Sequence, residues 1–453
     1  MTTITTVEQA MAAIWERSGY DRGFISNPFA GDEAARLGLV RTARVLELIG
    51  NPERDFAIVH AAGSKGKGST SSFIDSMVRA AGRRCGRFLS PHLHSYRERF
   101  VVDDLAIGEA EFTTLVADVK EAALEAERAD AAIGPLTAWE LSTAMALRWF
   151  SRSGCEIAVI EVGMGGTLDA TNVVDPAVSV ITTLDYEHTA ILGSTMTEIA
   201  GNKAGIIKPG RPVVSAVQPV EAETVIEARA TALGAPLHVA NKDWFVSGTD
   251  RGFSVTAPRW EHHGLVTSLI GQHQVDNAGL AIAAVHALAD SDLLRQNGTI
   301  DNAVREGVGA AFIPGRFEVV RHDSGITFVL DGAHSPASSQ ALANAVREHF
   351  PGSRVTMIIG ILNDKKPDDL LRPLVPATNR WLVAMLQSPR SLPGDAIGAS
   401  LEALGERPEI SGSVAEAIER ATPESSTHLE NLVVVVTGSL STVAEARVAL
   451  GLA

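Results

Sequence analysis

Cysteine is nearly absent from this sequence. Among 453 residues only Cys85 and Cys155 occur, far apart in the chain and in no CxxC pattern. Disulfide frameworks and thiolate metal sites need several cysteines at short spacings, so neither is predicted. The same scarcity fits a reducing compartment, and we expect the protein to work in the cytoplasm.

Positive charge is also in short supply. Lysine and arginine total 39 against 54 aspartates and glutamates, which gives a net charge of −15. General nucleic-acid binders and anionic-membrane binders need an excess of positive charge, so both classes are excluded. An anionic ligand would have to bind in a local pocket of its own.

Long apolar runs are missing as well. The first residues contain no basic segment followed by a long apolar stretch, and no run approaches the roughly 18 residues that cross a bilayer. We therefore expect neither export nor a membrane partner.

The sequence is long and apolar enough to form more than one hydrophobic core. Its 453 residues are 45% hydrophobic, and single cores usually stop growing below this length. Short β-branched runs alternate with Ala-rich helical segments, which predicts a parallel sheet covered on both faces. The predicted strands are "FAIVH", "IAVIEV", "AVSVITTL" and "PVVSAV", and later "ITFVLDGAH", "RVTMIIGIL", "RWLVAML" and "LVVVVTGS".

The chain is predicted to contain two domains. Pro and Gly in "AAFIPGRFE" interrupt the pattern, which places a boundary near Ile313 and gives domains of residues 1–312 and 313–453. A helical lead-in opens the first domain, with Thr5 and Glu8 as its predicted capping box. Turn residues between positions 246 and 267 predict a small antiparallel patch near the end of this domain.

The stretch "HAAGSKGKGST" predicts a loop that holds phosphate. The stretch follows a buried strand. Its glycines leave backbone N–H groups available to surround an anion, and Lys67 adds a positive charge. Ser69 is predicted to begin a helix, whose N-terminus favours phosphate. The spacing differs from G-x-x-x-x-G-K-[ST], and the alternative is an ordinary glycine turn. The residues predicted to surround the phosphate are Gly63, Ser64, Lys65, Gly66, Lys67, Gly68, Ser69 and Thr70.

Several longer motifs carry a resemblance to a known family. They are "GSKGKGST", "SPHLHSYRER", "EVGMGGTLDATN", "EHTAILG", "NKAGIIKPG", "GQHQVDNA", "PGRFE", "LDGAHSP" and "TGSL". Together they resemble folylpolyglutamate synthase and dihydrofolate synthase, which belong to the Mur ligase superfamily. The resemblance implies a doubly wound, mostly parallel α/β domain of the P-loop type, followed by a smaller Rossmann-like α/β domain.

The same resemblance implies an ATP-dependent ligase. Such an enzyme phosphorylates the carboxylate of folate or dihydropteroate and joins it to L-glutamate, using a pair of Mg²⁺ ions; the family favours a monomer. It implies catalytic roles for Lys67, Glu140, His188 and Lys203. The implied metal ligands are Ser69, Ser90, Glu140, His188 and Lys203, the lysine as a carbamate.

Other motif residues receive less definite roles. Glu161 ends an apolar strand and is expected to orient metal or water at the ligand-binding edge of the sheet. Arg97 and Arg99 are candidates to meet an acidic substrate; the alternative is a solvated turn, which is the better interpretation for Arg99. His92 and His94 receive no role.

The resemblance also implies nucleotide contacts late in the chain. Asn277 would contact adenine, Arg316 the phosphates and Asp331 the ribose, with His334 close behind. The sequence departs from the family pattern at four positions, which are Thr167 for Arg, Glu187 for Asp, Asn202 for Glu and Ser335 for Asn.

Two other functions stay open at this point. A cell-wall Mur ligase acting on a different acidic acceptor would share this chemistry, but about sixty residues before the phosphate loop are fewer than its extra domain needs. The departures at Thr167, Asn202 and Ser335 motivate the alternative of a catalytically silent nucleotide-binding protein. The choice between folate and dihydropteroate as acceptor also stays open.

Overall fold

The computed structural model describes residues 4–18, 32–290, 293–294, 300–322, 325–422 and 431–453. The chain divides into two compact units, Met1–Thr267 with Val275–Ala311, and Ser268–Gln274 with Phe312–Ala453. The short segment Ser268–Gln274 therefore belongs to the second unit, whereas the single boundary predicted near Ile313 leaves it in the first domain.

The first unit is built around a mostly parallel sheet. Its strands are β1 (Ala57–Ala62), β2 (Cys85–Phe88), β3 (Phe100–Val102), β4 (Leu105–Ala106), β5 (Ile157–Glu161), β6 (Val178–Ile181), β7 (Val213–Ser215) and β8 (Leu237–Val239). In the described part of the chain they lie in the order β4-β3-β2-β5-β1-β6-β7-β8. Strands β2, β5, β1, β6, β7 and β8 run parallel. The predicted parallel sheet is confirmed, and an antiparallel edge at β3 and β4 adds to it.

A second, antiparallel sheet of this unit contains β9 (Phe245–Thr249), β10 (Gly252–Ala257) and β11 (Trp260–Leu265). It forms the antiparallel patch that the turn residues predict.

Helices surround the large sheet. They are α1 (Val7–Trp15), α2 (Asp32–Leu48), α3 (Lys67–Ala80), α4 (Glu109–Ala129), α5 (Ala138–Arg152), α6 (Thr189–Leu192), α7 (Met196–Lys203), α8 (Val220–Ala232), α9 (Gln272–Asp290) and α10 (Ile300–Ala310). Every residue of β5 is buried, so both faces of the central sheet are covered. Fully buried aromatic rings such as Phe88, Phe112 and Phe150 pack among β1, β5, α4 and α5. None of the helices in the described ranges has the length and apolar character needed to cross a membrane.

Two helix starts differ from the prediction. Helix α1 is capped by Thr6 and Gln9, which exchange side-chain and backbone hydrogen bonds, so the predicted pair Thr5 and Glu8 is wrong by one residue. Helix α3 begins at Lys67, two residues before the predicted Ser69. The left-handed backbone of Gly66, with φ of 86°, turns the chain into the helix at this earlier point.

The second unit contains another mostly parallel sheet. Its strands are β12 (Glu318–Arg321), β13 (Thr327–Leu330), β14 (Arg354–Ile359), β15 (Arg380–Ala384), β16 (Glu409–Ser411) and β17 (Leu432–Thr437). Among described residues their order is β12-β13-β17-β14-β15-β16, and only β12 pairs antiparallel. Its helices are α11 (Pro336–His349), α12 (Pro367–Leu371), α13 (Gly394–Ala403), α14 (Val414–Ala421) and α15 (Leu440–Ala449). The predicted second βα series is confirmed.

Candidate active site

The phosphate loop leaves the centre of the large sheet. In register, Ala61 of β1 lies beside Glu161 of β5, and Ala62 lies beside Ile181 of β6. The chain then continues into Gly63, where an added Cβ would lie 1.8 Å from Thr182 Oγ1. Only glycine fits this close approach to the strand next to it. The loop therefore starts at the edge where ligands bind to open parallel sheets.

The rest of the loop lies against helix α9. A Cβ on Gly66 would meet Asn277 Oδ1 at 2.3 Å, and the hydroxyl of Thr70 is 3.5 Å from the same oxygen. Asn277 is thus placed beside the phosphate loop, as a nucleotide contact requires. The first turn of the 14-residue helix α3 follows directly, and its free backbone N–H groups favour an anion at this position.

Two lysine side chains converge on one carbonyl oxygen of this loop. Lys67 Nζ donates to Gly63 O at 2.8 Å, and Lys203 Nζ donates to the same oxygen at 3.0 Å. Lys67 is half-buried, whereas Lys203 is only 2% exposed. Lys67 gives this part of the loop a positive charge that suits an anion such as a phosphate.

Lys203 also pairs with a carboxylate. Its Nζ lies 2.7 Å from Glu187 Oε1. Burial lowers the pKa of Lys203 and Lys67 lowers it further, while Glu187 opposes them. Burial would raise the pKa of Glu187, but Lys203 and Lys67 outweigh burial and the pKa lies below its ordinary value. The exposed His188, with a left-handed φ of 47°, follows directly and precedes helix α6.

Glu161 is the carboxylate that lies at this edge of the sheet. It is 4% exposed at the end of β5, and its Oε2 accepts a hydrogen bond of 2.9 Å from the backbone N–H of Ser90. The predicted ligand Ser90 is thus held beside Glu161. The sequence analysis gave Glu161 only an orienting role.

Glu140 has a different environment from the predicted one. Its two carboxylate oxygens each accept a 2.8 Å hydrogen bond from the guanidinium of Arg41, and it also caps helix α5 through Thr137. Both oxygens are committed to a buried ion pair. Glu140 thus has a structural role in this ion pair, and its predicted role as a metal ligand stays a prediction.

A buried polar network supports the "GMGGTLDATN" loop. His60 Nε2 lies 2.8 Å from Thr171 Oγ1, which donates to Asp169 Oδ1 at 2.5 Å. Asp169 Oδ2 accepts from Met164 N and from Trp139 Nε1. Burial, with a smaller effect of Lys208, lowers the pKa of His60 to about 3, so its ring is neutral. Asp169 also caps the short helix Ala170–Val173. Such a capping role is the structural alternative to a role of this motif in ligand binding.

In the second unit, the predicted nucleotide residues meet at the end of β13. Asp331 accepts hydrogen bonds from the backbone N–H groups of Phe317 and Ala333, at 2.8 and 2.9 Å. Burial raises the pKa of Asp331, and the neighbouring Arg316 opposes this shift. The Nδ1–H of His334 donates to Gly332 O at 2.8 Å. The fold therefore brings Arg316, Asp331 and His334 together, and their contacts with the nucleotide stay a prediction.

Comparison with known proteins identifies the family. Residues 61–285 match the Mur ligase middle domain, and residues 315–440 match the glutamate ligase domain of Mur ligases. A dihydrofolate synthase/folylpolyglutamate synthase from Bacillus subtilis is 34% identical over 419 residues, or 90% of this chain and 94% of that protein. The chain belongs to the folylpolyglutamate synthase/dihydrofolate synthase family of Mur ligases.

Solved structures of this family have the same fold. Escherichia coli FolC in complex with DHPP and ADP is 30% identical, with a TM-score of 0.78 over 92% of each chain. The bifunctional folylpolyglutamate synthase/dihydrofolate synthase of Yersinia pestis with Mn, AMPPNP and L-glutamate bound is also 30% identical, with a TM-score of 0.77 over 91% of this chain and 94% of that one. The chain is accordingly an enzyme of the ligase class.

The departures from the family pattern have local structural partners. Thr167 Oγ1 donates to the backbone oxygen of Asn202 at 3.0 Å, so two of the departing residues contact each other. The Asn202 amide donates to Leu192 O and Glu198 O. Ser335 caps helix α11 and exchanges hydrogen bonds with Ser338.

Proposed function

We propose that this protein is an ATP-dependent ligase that adds L-glutamate to a folate or dihydropteroate carboxylate through an acyl phosphate. The observation that carries this proposal is the convergence of Lys67 and Lys203 on Gly63 O, beside the carboxylate of Glu187. The names of the relatives support the acceptor class and the glutamate substrate.

The proposed reaction has two steps. A carboxylate oxygen of the acceptor attacks the γ-phosphorus of ATP, and ADP leaves. The amino nitrogen of glutamate then attacks the acyl carbon, loses a proton, and inorganic phosphate leaves with the oxygen. Anionic reactants meet in the first step, so positive charge at the phosphates lowers its barrier. Lys67 and the N-terminus of α3 supply this charge from the chain itself.

The donor groups at this site fit Mg²⁺. Oxygen ligands suit this hard cation, and Glu161, Ser90 and Ser69 offer carboxylate and hydroxyl oxygens, with His188 nearby in the loop after β6. When bound, Mg²⁺ would neutralise phosphate charge during transfer. A manganese ion in the Yersinia pestis relative supports a divalent cation. We propose a pair of ions, with a carbamate on Lys203 as a further oxygen donor.

The test is an assay of phosphate release with each reactant omitted in turn. We expect release to require ATP, L-glutamate and a pterin acceptor, and to occur with dihydropteroate, with tetrahydrofolate, or with both. Release with neither acceptor would contradict the proposal and favour a silent nucleotide-binding protein. Release with only a different acidic acceptor would favour another Mur-type ligase.

Glu161 and Glu140 provide a matched pair of variants. We expect Glu161→Gln to lower kcat by about a hundredfold or more, because the proposed Mg²⁺ would lose an anionic ligand. Raising the Mg²⁺ concentration should recover part of the activity. Glu140→Gln should lower the melting temperature through the Arg41 ion pair, while kcat stays within a few-fold of the parent.

Steady-state kinetics across a Mg²⁺ series, with thermal melts of both variants, checks this prediction. A Mg²⁺-dependent loss in Glu140→Gln combined with parental kinetics in Glu161→Gln would restore the sequence-based assignment.

A further inference from the structure

His92 lies in the loop that joins β2 to the short helix Tyr96–Arg99. It comes two residues after Ser90, whose backbone N–H donates to Glu161. Its imidazole is partly buried, with its ring centroid 5.2 Å from that of Tyr96. The residue therefore lies in the segment that is anchored at the proposed reaction centre.

The conformation of this loop is held by Glu98. Its carboxylate accepts hydrogen bonds from the consecutive backbone N–H groups of Leu93, His94 and Ser95, at 2.7, 2.9 and 2.6 Å. Hydrogen bonds to an ionised carboxylate are the stronger kind. The backbone on the carboxyl side of His92 is therefore fixed in one arrangement.

Arg99 is a buried cation that contacts the edge of the His92 ring. It is 8% exposed, so the predicted solvated turn is wrong for this residue. Its Nε donates to His92 Nδ1 at 3.1 Å, and its Cζ lies 4.3 Å from the centroid of the Tyr96 ring. In the part of the chain that the structure describes, these neutral side chains are its partners and no carboxylate pairs with it. A positive charge without a carboxylate ion pair among the described residues therefore lies beside His92 Nδ1.

This contact fixes the tautomer of His92. A guanidinium has donors and no acceptor, so His92 Nδ1 must accept, and the neutral ring carries its hydrogen on Nε2. No hydrogen-bond partner of Nε2 is found among the described residues. The imidazole therefore presents one N–H group of fixed orientation, with a buried cation beside Nδ1.

We propose that the Nε2–H of His92 donates a hydrogen bond to an anionic oxygen of the acceptor carboxylate as it reacts, and that Arg99 is the positioning residue that fixes this donor. The inference rests on the proposed ligase function. A preorganised donor backed by positive charge stabilises an oxygen most when that oxygen gains negative charge during the reaction. The contact should therefore act on turnover more than on ATP binding.

Two substitutions of His92 test the donor. We expect His92→Phe to lower kcat about tenfold to a hundredfold, with the KM for ATP and the melting temperature close to the parent's. His92→Gln should stay within several-fold of the parent, because its side-chain amide can still donate. His94→Phe is the control, since His94 is an exposed histidine of the same loop. Parental turnover in His92→Phe, or equal losses in His92→Phe and His92→Gln, would overturn the proposal.

Nitrogen-15 NMR of the histidine side chains gives a readout that needs no turnover. We expect the Nε2–H tautomer for His92 in the parent protein; an Nδ1–H tautomer or an imidazolium would overturn the positioning role of Arg99. A parent without glutamate-dependent phosphate release would overturn the ligase function and the acceptor contact together. An active parent with an unaffected His92→Phe variant would overturn the contact alone.

Discussion

Replacing Lys67 with alanine is expected to lower kcat by about a hundredfold or more while the protein stays folded. The Lys67 ammonium group folds back to Gly63 O at 2.8 Å, over the loop that would hold the phosphates. Its side chain is half-buried and belongs to no apolar cluster of the core, so its loss leaves the packing intact. The missing charge would no longer offset the negative charge between ATP and the acceptor carboxylate.

Steady-state kinetics and thermal melts of Lys67→Ala measure this effect. Lys242→Ala is a suitable control, because Lys242 is a surface lysine whose ammonium group lies 3.0 Å from Glu227. We expect the control to match the parent in both measurements. A folded Lys67→Ala variant that turns over at nearly the parental rate would show that the loop does not act on the transferred phosphate.

Substitution of Lys203 is expected to have a comparably large effect, and the choice of substitute reveals its chemical form. Lys203 is 2% exposed and shares Gly63 O with Lys67. Conversion to a carbamate would replace one of two neighbouring positive charges with an anionic oxygen donor, which favours Mg²⁺ at this position. We therefore expect Lys203→Ala and Lys203→Arg both to lose about a hundredfold or more in kcat.

The alternative is an ammonium group that simply pairs with Glu187, as in the 2.7 Å contact of the unmodified side chain. Arginine would preserve that pairing but cannot carry the carbamate. Small carboxylic acids should partly restore Lys203→Ala, and bicarbonate should reactivate parent protein that has been depleted of carbon dioxide. Full activity in Lys203→Arg, together with no carbamate mass on the parent, would rule out the carbamate.

Much of the site was predictable because its residues occur in compact motifs. The strand before Gly63 and the glycine pattern of the loop predict a phosphate site, and the structure has the loop at the carboxyl edge of β1. Lys67 and Lys203 are far apart in sequence, and their meeting at Gly63 O depends on the neighbouring strands β1 and β6. From the sequence, only the resemblance to the family predicts that these two lysines belong to the same site.

The sequence alone could not indicate which of two glutamates, Glu140 or Glu161, is the better candidate for a metal ligand. Glu140 lies in a helix start and Glu161 at a strand end, and both positions are compatible with a metal ligand in the sequence. Our proposal favours Glu161 because its register places it beside Ala61, next to the phosphate loop, whereas Glu140 pairs with Arg41. Arg41 lies 99 positions before Glu140, so no local pattern indicates this pair.

Other features were not predicted from the sequence because they also depend on contacts between distant residues or on very short strands. Burial of Arg99 depends on the aromatic cluster around Tyr96, whereas the local sequence "SYRER" is polar throughout. His60 lies within an apolar strand, and its contact with Thr171 is long-range in sequence. Strands β3 and β4 are only three and two residues long, too short to show an alternating pattern.

The most direct measurement follows the oxygen that the acceptor loses. An acceptor labelled with oxygen-18 in its reacting carboxylate should be turned over with ATP and L-glutamate, and the released phosphate and the pterin product analysed by mass spectrometry. We predict one heavy oxygen in each phosphate and one glutamyl residue added to each product. Unlabelled phosphate, or phosphate release without glutamylated product, would contradict ligation through an acyl phosphate.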